Sequence, residues 1–315
     1  MSVVRVVVSL VLAVVLVVGA VLLLALGYGA AVASAWDGLG LDEGEDGGAW
    51  LWLDDEPFYY RFWGPDEGRT YVLVHGLQVE GSATWTETAR GISRSGVRVL
   101  TVDLRGFGRS SRVGEAEQFT LAAQADLLAR MVNELGVRDA ILVGHGWGGA
   151  VALRMAADQP QLVERVAVLY PEGLIDERAV PARLVRVPMV GSALTWGCYV
   201  GGPLWAREQR AGYLDLTQMP PDQIDELRAL SRAVGTMEAW TKIAALTTEE
   251  LYGEVTWPDQ PVLVVRPTPD ALAELAALPW LDGLPEDSIT TVQAGRWLQM
   301  ERSDAVNALL LAFVP

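Results

Sequence analysis

The stretch Ile141-Leu142-Val143-Gly144-His145-Gly146-Trp147-Gly148-Gly149-Ala150 limits what this chain can fold into more than any other. An apolar run breaks into a glycine-dense turn and restarts at once as a helical pattern, Val151 to Ala157. Other short, nearly continuous apolar runs share its character: Tyr71 to Val74, Val97 to Val102, Ala140 to Val143, Val166 to Tyr170 and Pro261 to Val265. Runs without alternation suit strands buried on both faces of a parallel sheet. Helical patterns at Thr120 to Leu135 and Gly148 to Ala157 separate several of them, which predicts βαβ units with helices on both sheet faces. Ahead of these lie Trp50 to Leu53 and Phe58 to Trp63, aromatic-rich runs divided by an acidic, proline-containing turn, as in an antiparallel pair.

The amino terminus has a different character. Val6 to Leu26 holds only apolar residues, one serine and one glycine. As a helix this run reaches roughly 32 Å, enough to cross a hydrocarbon core of about 30 Å. Ala33-Ser34-Ala35 also fits a small-residue cleavage site, but the apolar region of a signal peptide usually has about 7–15 residues, so length favours an uncleaved anchor. Arg5 is the only charged side chain before the span, which places the amino terminus inside and the folded domain on the non-cytoplasmic side. A single-pass membrane protein is the expectation.

The 315 residues are enough for one large α/β domain with an insertion. Asp and Glu number 40 against 24 Lys and Arg, a net charge of −16 that repels phosphate backbones, so no nucleic-acid partner is expected. Cys198 is the only cysteine, which excludes an intramolecular disulfide and a cysteine-based metal cluster; neither a metal nor a cofactor is expected. The Gly- and Asp/Glu-rich residues 37–49 read as a solvated tether.

Two further motifs each follow a predicted strand: His75-Gly76 after Val74, and Asp103-Leu104-Arg105-Gly106-Phe107-Gly108-Arg109-Ser110 after Val102. With the turn at Gly146, in this order, they resemble the α/β-hydrolase family from about Trp50 to Pro315. The glycine-dense turn is similar to that family's nucleophile elbow, G-x-S-x-G, with Gly146 at the nucleophile position. The resemblance implies an eight-stranded, mostly parallel sheet flanked by helices. It also implies a lid between the sixth and seventh strands. The expected organisation is therefore an anchor or uncleaved signal over 1–36, the tether, a core made of 50–171 and 258–315, and a lid over 172–257. Pro188-Met189-Val190-Gly191 resembles the first lid turn of several members. Trp196, Trp205 and Trp240 in the lid either roof an apolar pocket or only pack the lid's own core.

The family's chemistry needs a nucleophile, a histidine that accepts and returns its proton, and an acid that orients the imidazole. Gly146 carries no side chain. The chain has two histidines, His75 and His145, and both belong to other motifs. Where the resemblance places the catalytic histidine, in Gly295-Arg296-Trp297, stands Arg296, whose guanidinium cannot serve as a base near neutrality. Asp270, after Pro267-Thr268-Pro269, falls at the acid's position and is expected to face Arg296 as an ion pair. The backbone N–H groups of Leu77 and Trp147 are the expected oxyanion donors. His75, Gly76 and His145 are read as pocket support, and Ser110 and Ser111 as solvated loop serines.

The leading expectation is a membrane-anchored protein of this fold that has lost catalysis and keeps a pocket for a small apolar ligand or for scaffolding. The alternative is a serine-independent ester or C–C bond hydrolase built around Asp270 and His75.

Overall fold

The apolar runs do form the sheet. In the computed structural model, which describes residues 3–36, 47–171, 180–253, 257–268 and 285–314, the strands are β1 (Ala49–Leu53), β2 (Glu56–Trp63), β3 (Thr70–Val74), β4 (Arg98–Val102), β5 (Ala140–His145), β6 (Val163–Leu169), β7 (Val262–Arg266) and β8 (Ile289–Thr291). They lie in the order β1-β2-β4-β3-β5-β6-β7-β8. The pairs β1–β2 and β2–β4 are antiparallel, and every later pair is parallel. This is the mostly parallel eight-stranded sheet that the family resemblance implies.

Alternate residues of the central strands enter two separate cores, because successive side chains point to opposite faces. Val72, Leu142 and Val168 pack on one side with Leu128 of α3 (Leu121–Glu134) and Val151 of α4 (Trp147–Asp158). Leu73, Val143 and Ala167 pack on the other with Ile92 of α2 (Thr86–Arg94) and Leu310 of α12 (Ser303–Phe313). The sixth run differs from expectation at its end. β6 stops at Leu169, and Tyr170 turns out of the strand with φ 56°.

Between β6 and β7 lies a helical lid: α5 (Ala182–Val185), α6 (Val190–Thr195), α7 (Pro203–Ala211), α8 (Gln223–Leu230), α9 (Thr236–Ala245) and α10 (Thr248–Tyr252). A short α11 (Leu298–Glu301) precedes α12. A π-helical turn, Trp196–Val200, follows α6. The first helix, α1 (Val3–Ser34), is long and apolar enough to cross a membrane. Most of the acidic tether lies outside the described residues, and its last residue, Ala49, opens β1.

Candidate functional site

The turn from β5 into α4 sits at the end of the central parallel strands. Gly146 caps α4 with φ 50° and ψ −122°, a conformation that side chains adopt only under strain. Its N–H donates to the Leu169 carbonyl at 2.8 Å and its carbonyl accepts from Gly149 N–H at 2.8 Å, so the turn is held on both sides. Gly148 lets the start of α4 approach β3: a Cβ there would lie 2.1 Å from the His75 carbonyl oxygen.

Leu77 and Trp147 both line the cavity over Gly146. The backbone N–H of neither donates to a backbone acceptor among the described residues.

Both histidines are buried, and each is held by the backbone. Leu104 N–H donates to His75 Nε2 at 3.1 Å, so Nδ1 carries the proton and donates to the Gly76 carbonyl at 2.8 Å. Burial lowers the pKa of His75, against the opposing charge of Asp103. His145 directs Nε2 at the Arg296 carbonyl, 2.8 Å away, and its ring stacks on Tyr170 with centroids 5.5 Å apart. Burial pushes its pKa down to about 4, so it is neutral at physiological pH. Among the described residues its Nδ1 has no hydrogen-bond partner, and neither has Gln78 Oε1. The two groups converge beside Gly76, where an added Cβ would lie 2.8 Å from Gln78 Oε1 and 2.9 Å from His145 Nδ1.

Arg296 follows β8, and its guanidinium meets Glu208 of α7 at 3.5 Å. Asp270 lies outside the described residues, so the expected pair with Arg296 does too. Glu208 was missed because it belongs to the lid, far away in the chain. Ser110 and Ser111 differ from the sequence reading. They are buried, not solvated: Ser110 donates to the Asp103 carbonyl and Ser111 to Glu56. Asp103 itself accepts from Ser82 N–H at 2.6 Å and Arg109 N–H at 2.7 Å, which packs this loop tightly and leaves its serines on the inside.

Sheet and lid enclose a cavity of about 270 Å³. Trp147, Trp205, Trp240 and Trp297 line it, and each indole N–H bridges core and lid. Trp147 donates to Leu251 and Trp297 to Gln209, from core to lid. Trp240 donates to Gly106 and Trp205 to Glu80, from lid to core. Trp205 and Trp240 therefore roof the cavity, whereas Trp196 packs on Tyr28 and Trp36 of the amino-terminal segment. Glu80 was not singled out in the sequence. It is buried, accepts the Trp205 indole at 2.8 Å through Oε1, and burial pushes its carboxyl up to about 7.

A strand-to-helix turn of this geometry at the ends of the central parallel strands, beneath a helical insertion, is the arrangement of the α/β-hydrolase fold. The chain belongs to the alpha/beta hydrolase fold family, whose model matches residues 71–303. It is 34% identical over 102 residues to bifunctional epoxide hydrolase 2 of Sus scrofa, covering 32% of this chain and 18% of that protein. It is 33% identical over 114 residues to a haloalkane dehalogenase of Mycolicibacterium paratuberculosis, covering 35% and 36%. The chain thus spans well under half the length of these relatives. The crystal structure of Cfl2 from Burkholderia cenocepacia superposes with a TM-score of 0.65 at 20% identity, covering 89% of this chain and all of that one, a likeness of fold.

Proposed function

We propose that this protein is a membrane-anchored member of the family that binds a small, largely apolar ligand without turning it over. The observation that carries the reading is Gly146, a residue without a side chain at the point where the fold presents a nucleophile. The base is missing in the same sense. Both nitrogens of His75 are engaged by backbone groups, His145 is a very weak base, and the Arg296 side chain meets Glu208. Where triad members act as a unit, losing the nucleophile or the base alone costs about 10⁶ in kcat.

The cavity suits a ligand with an aromatic or aliphatic body and one neutral polar end. Four tryptophans supply the apolar wall. Leu77 and Trp147 N–H would donate to the polar end, so a hydroxyl or a carbonyl oxygen suits it. Membrane attachment rests on the length and apolarity of α1.

The test is a panel of activated esters and epoxides offered to the full-length protein, alongside mass spectrometry of whatever co-purifies with it from membranes. The expected result is no turnover above buffer and a bound neutral lipophile in stoichiometric amount. Turnover that disappears in Asp270→Ala would establish the serine-independent hydrolase instead.

A further inference from the structure

The amino-terminal helix does not end free of the domain. From Val7 (52% exposed) to Leu24 (74%) its large apolar side chains touch little else, and burial starts near Leu26 and is complete at Gly29, Ala33 and Trp36. Gly29 lies directly on α6: a Cβ there would be 3.0 Å from Ala193 Cβ. Tyr28 and Trp36 take the Trp196 ring edge-on, with centroids 6.4 and 6.0 Å away. The Trp36 indole donates to the Ser231 carbonyl at 3.1 Å, and the Arg232 guanidinium stands 5.3 Å from its ring. The unpacked length, Val7 to Leu26, is about 30 Å at 1.5 Å per residue, the thickness of a hydrocarbon core. Contact with the lid thus begins where the hydrocarbon would end.

We propose that the last turns of α1 are a structural part of the lid and seat it on the bilayer surface, so that the cavity exchanges its ligand with the membrane. The inference rests on α1 spanning the bilayer, as read above. The occupant of the lid's outer surface is the leaflet from which α1 emerges. Arg183-Leu184-Val185-Arg186-Val187-Pro188-Met189 leads directly into α6, and it carries Leu184 (44% exposed), Val187 (44%) and Met189 (64%) beside the exposed Arg183, while Arg186 is paired with Glu250 at 3.2 Å. In a chain of net charge −16, that combination of apolar and basic groups fits an anionic headgroup region. The π-helical turn couples this contact to the cavity, since Trp196 packs on α1 while Cys198 and Tyr199 line the cavity wall. The half-exposed Leu204 lines the cavity one turn beyond Gly201, which the Trp36 ring covers, so the mouth opens beside the anchor.

The experiment uses the full chain with Cys198→Ser, reconstituted into vesicles of phosphatidylcholine and phosphatidylglycerol, with one cysteine introduced by Met189→Cys or Val113→Cys. Val113 is 71% exposed on the loop after β4. Labelling of the outward-facing molecules by a membrane-impermeant maleimide is expected to be at least about tenfold slower at position 189 than at 113, because an interfacial residue sits below the headgroups. Adding Gly29→Leu, which drives α1 off Ala193 but leaves the span apolar, is expected to abolish that protection. Equal rates at the two positions overturn the proposal, as does a purified chain whose sequence begins after Ala35. Protection that survives Gly29→Leu overturns the part assigned to α1. A water-exposed lid on a protein that still co-purifies with a lipophile sinks this inference alone; a protected lid over an empty cavity sinks the ligand-binding reading instead.

Discussion

At Gly146 a serine would bring strain as well as chemistry. The observed φ of 50° and ψ of −122° are open to glycine, while other residues held in such regions pay about 1–3 kcal/mol. Gly146→Ser is therefore expected to lower stability by about that amount, and a denaturant midpoint that is unchanged or raised would contradict the turn geometry. Glu80 sets a pH dependence. Its carboxyl, ordinarily near 4.5, is pushed by burial to about 7, so the fold keeps it neutral where the unfolded chain would ionise. A raised pKa gives a stability contribution that is complete below about 4.5 and lost as pH rises through about 7, on the order of 3 kcal/mol. Glu80→Gln cannot ionise and keeps the bond from Trp205. Denaturant midpoints measured at pH 5 and pH 8 are expected to show the wild type losing stability relative to Glu80→Gln; parallel curves would refute the buried neutral acid. The places of Gly146 at the β5–α4 turn and of Arg296 after β8 were legible in the sequence, because each lies inside a local motif. Glu80 and Glu208 were not, because burial and long-range pairing leave no local pattern.

Among the elements, the parallel strands were legible because burial on both faces leaves an almost unbroken apolar run. β8 was not. Ile289–Thr291 is a three-residue edge strand, half-buried to exposed, and carries two threonines. The tryptophans of the lid presented two equal readings in the sequence, and the structure divides them: Trp205 and Trp240 face the cavity, and Trp196 faces α1. At the β5–α4 junction, close packing makes a sharper demand than composition suggests. A Cβ on Gly148 would sit 2.1 Å from the His75 carbonyl and 2.6 Å from that of Val74, both backbone atoms at the end of β3. Gly148→Ala is expected to cost about 3 kcal/mol, the upper range for forcing extra volume into a packed interior. A thermal midpoint within a degree or two of wild type would show that α4 moves aside easily, and with it Trp147.

At the scale of the molecule, the sequence read as three independent pieces: a membrane segment, a tether and a hydrolase-like core. The structure joins the first to the third through Gly29, Trp36 and the lid, a contact between small and aromatic residues that hydropathy alone cannot reveal. It leaves an aromatic-lined cavity above a turn without a nucleophile. The central claim, that the scaffold is intact and the chemistry absent, is tested most directly by esterase assays on Gly146→Ser, Arg296→His and the double variant. Gly146→Ser alone supplies a hydroxyl without a base, and Arg296→His alone a base with nothing to activate. The His145 bond to position 296 uses the main-chain carbonyl and survives the change. Activity on small activated esters is expected only in the double variant, above either single variant by about 10², the lower range for general-base assistance. Hydrolysis by the unmodified protein at the rate of the double variant would contradict the account.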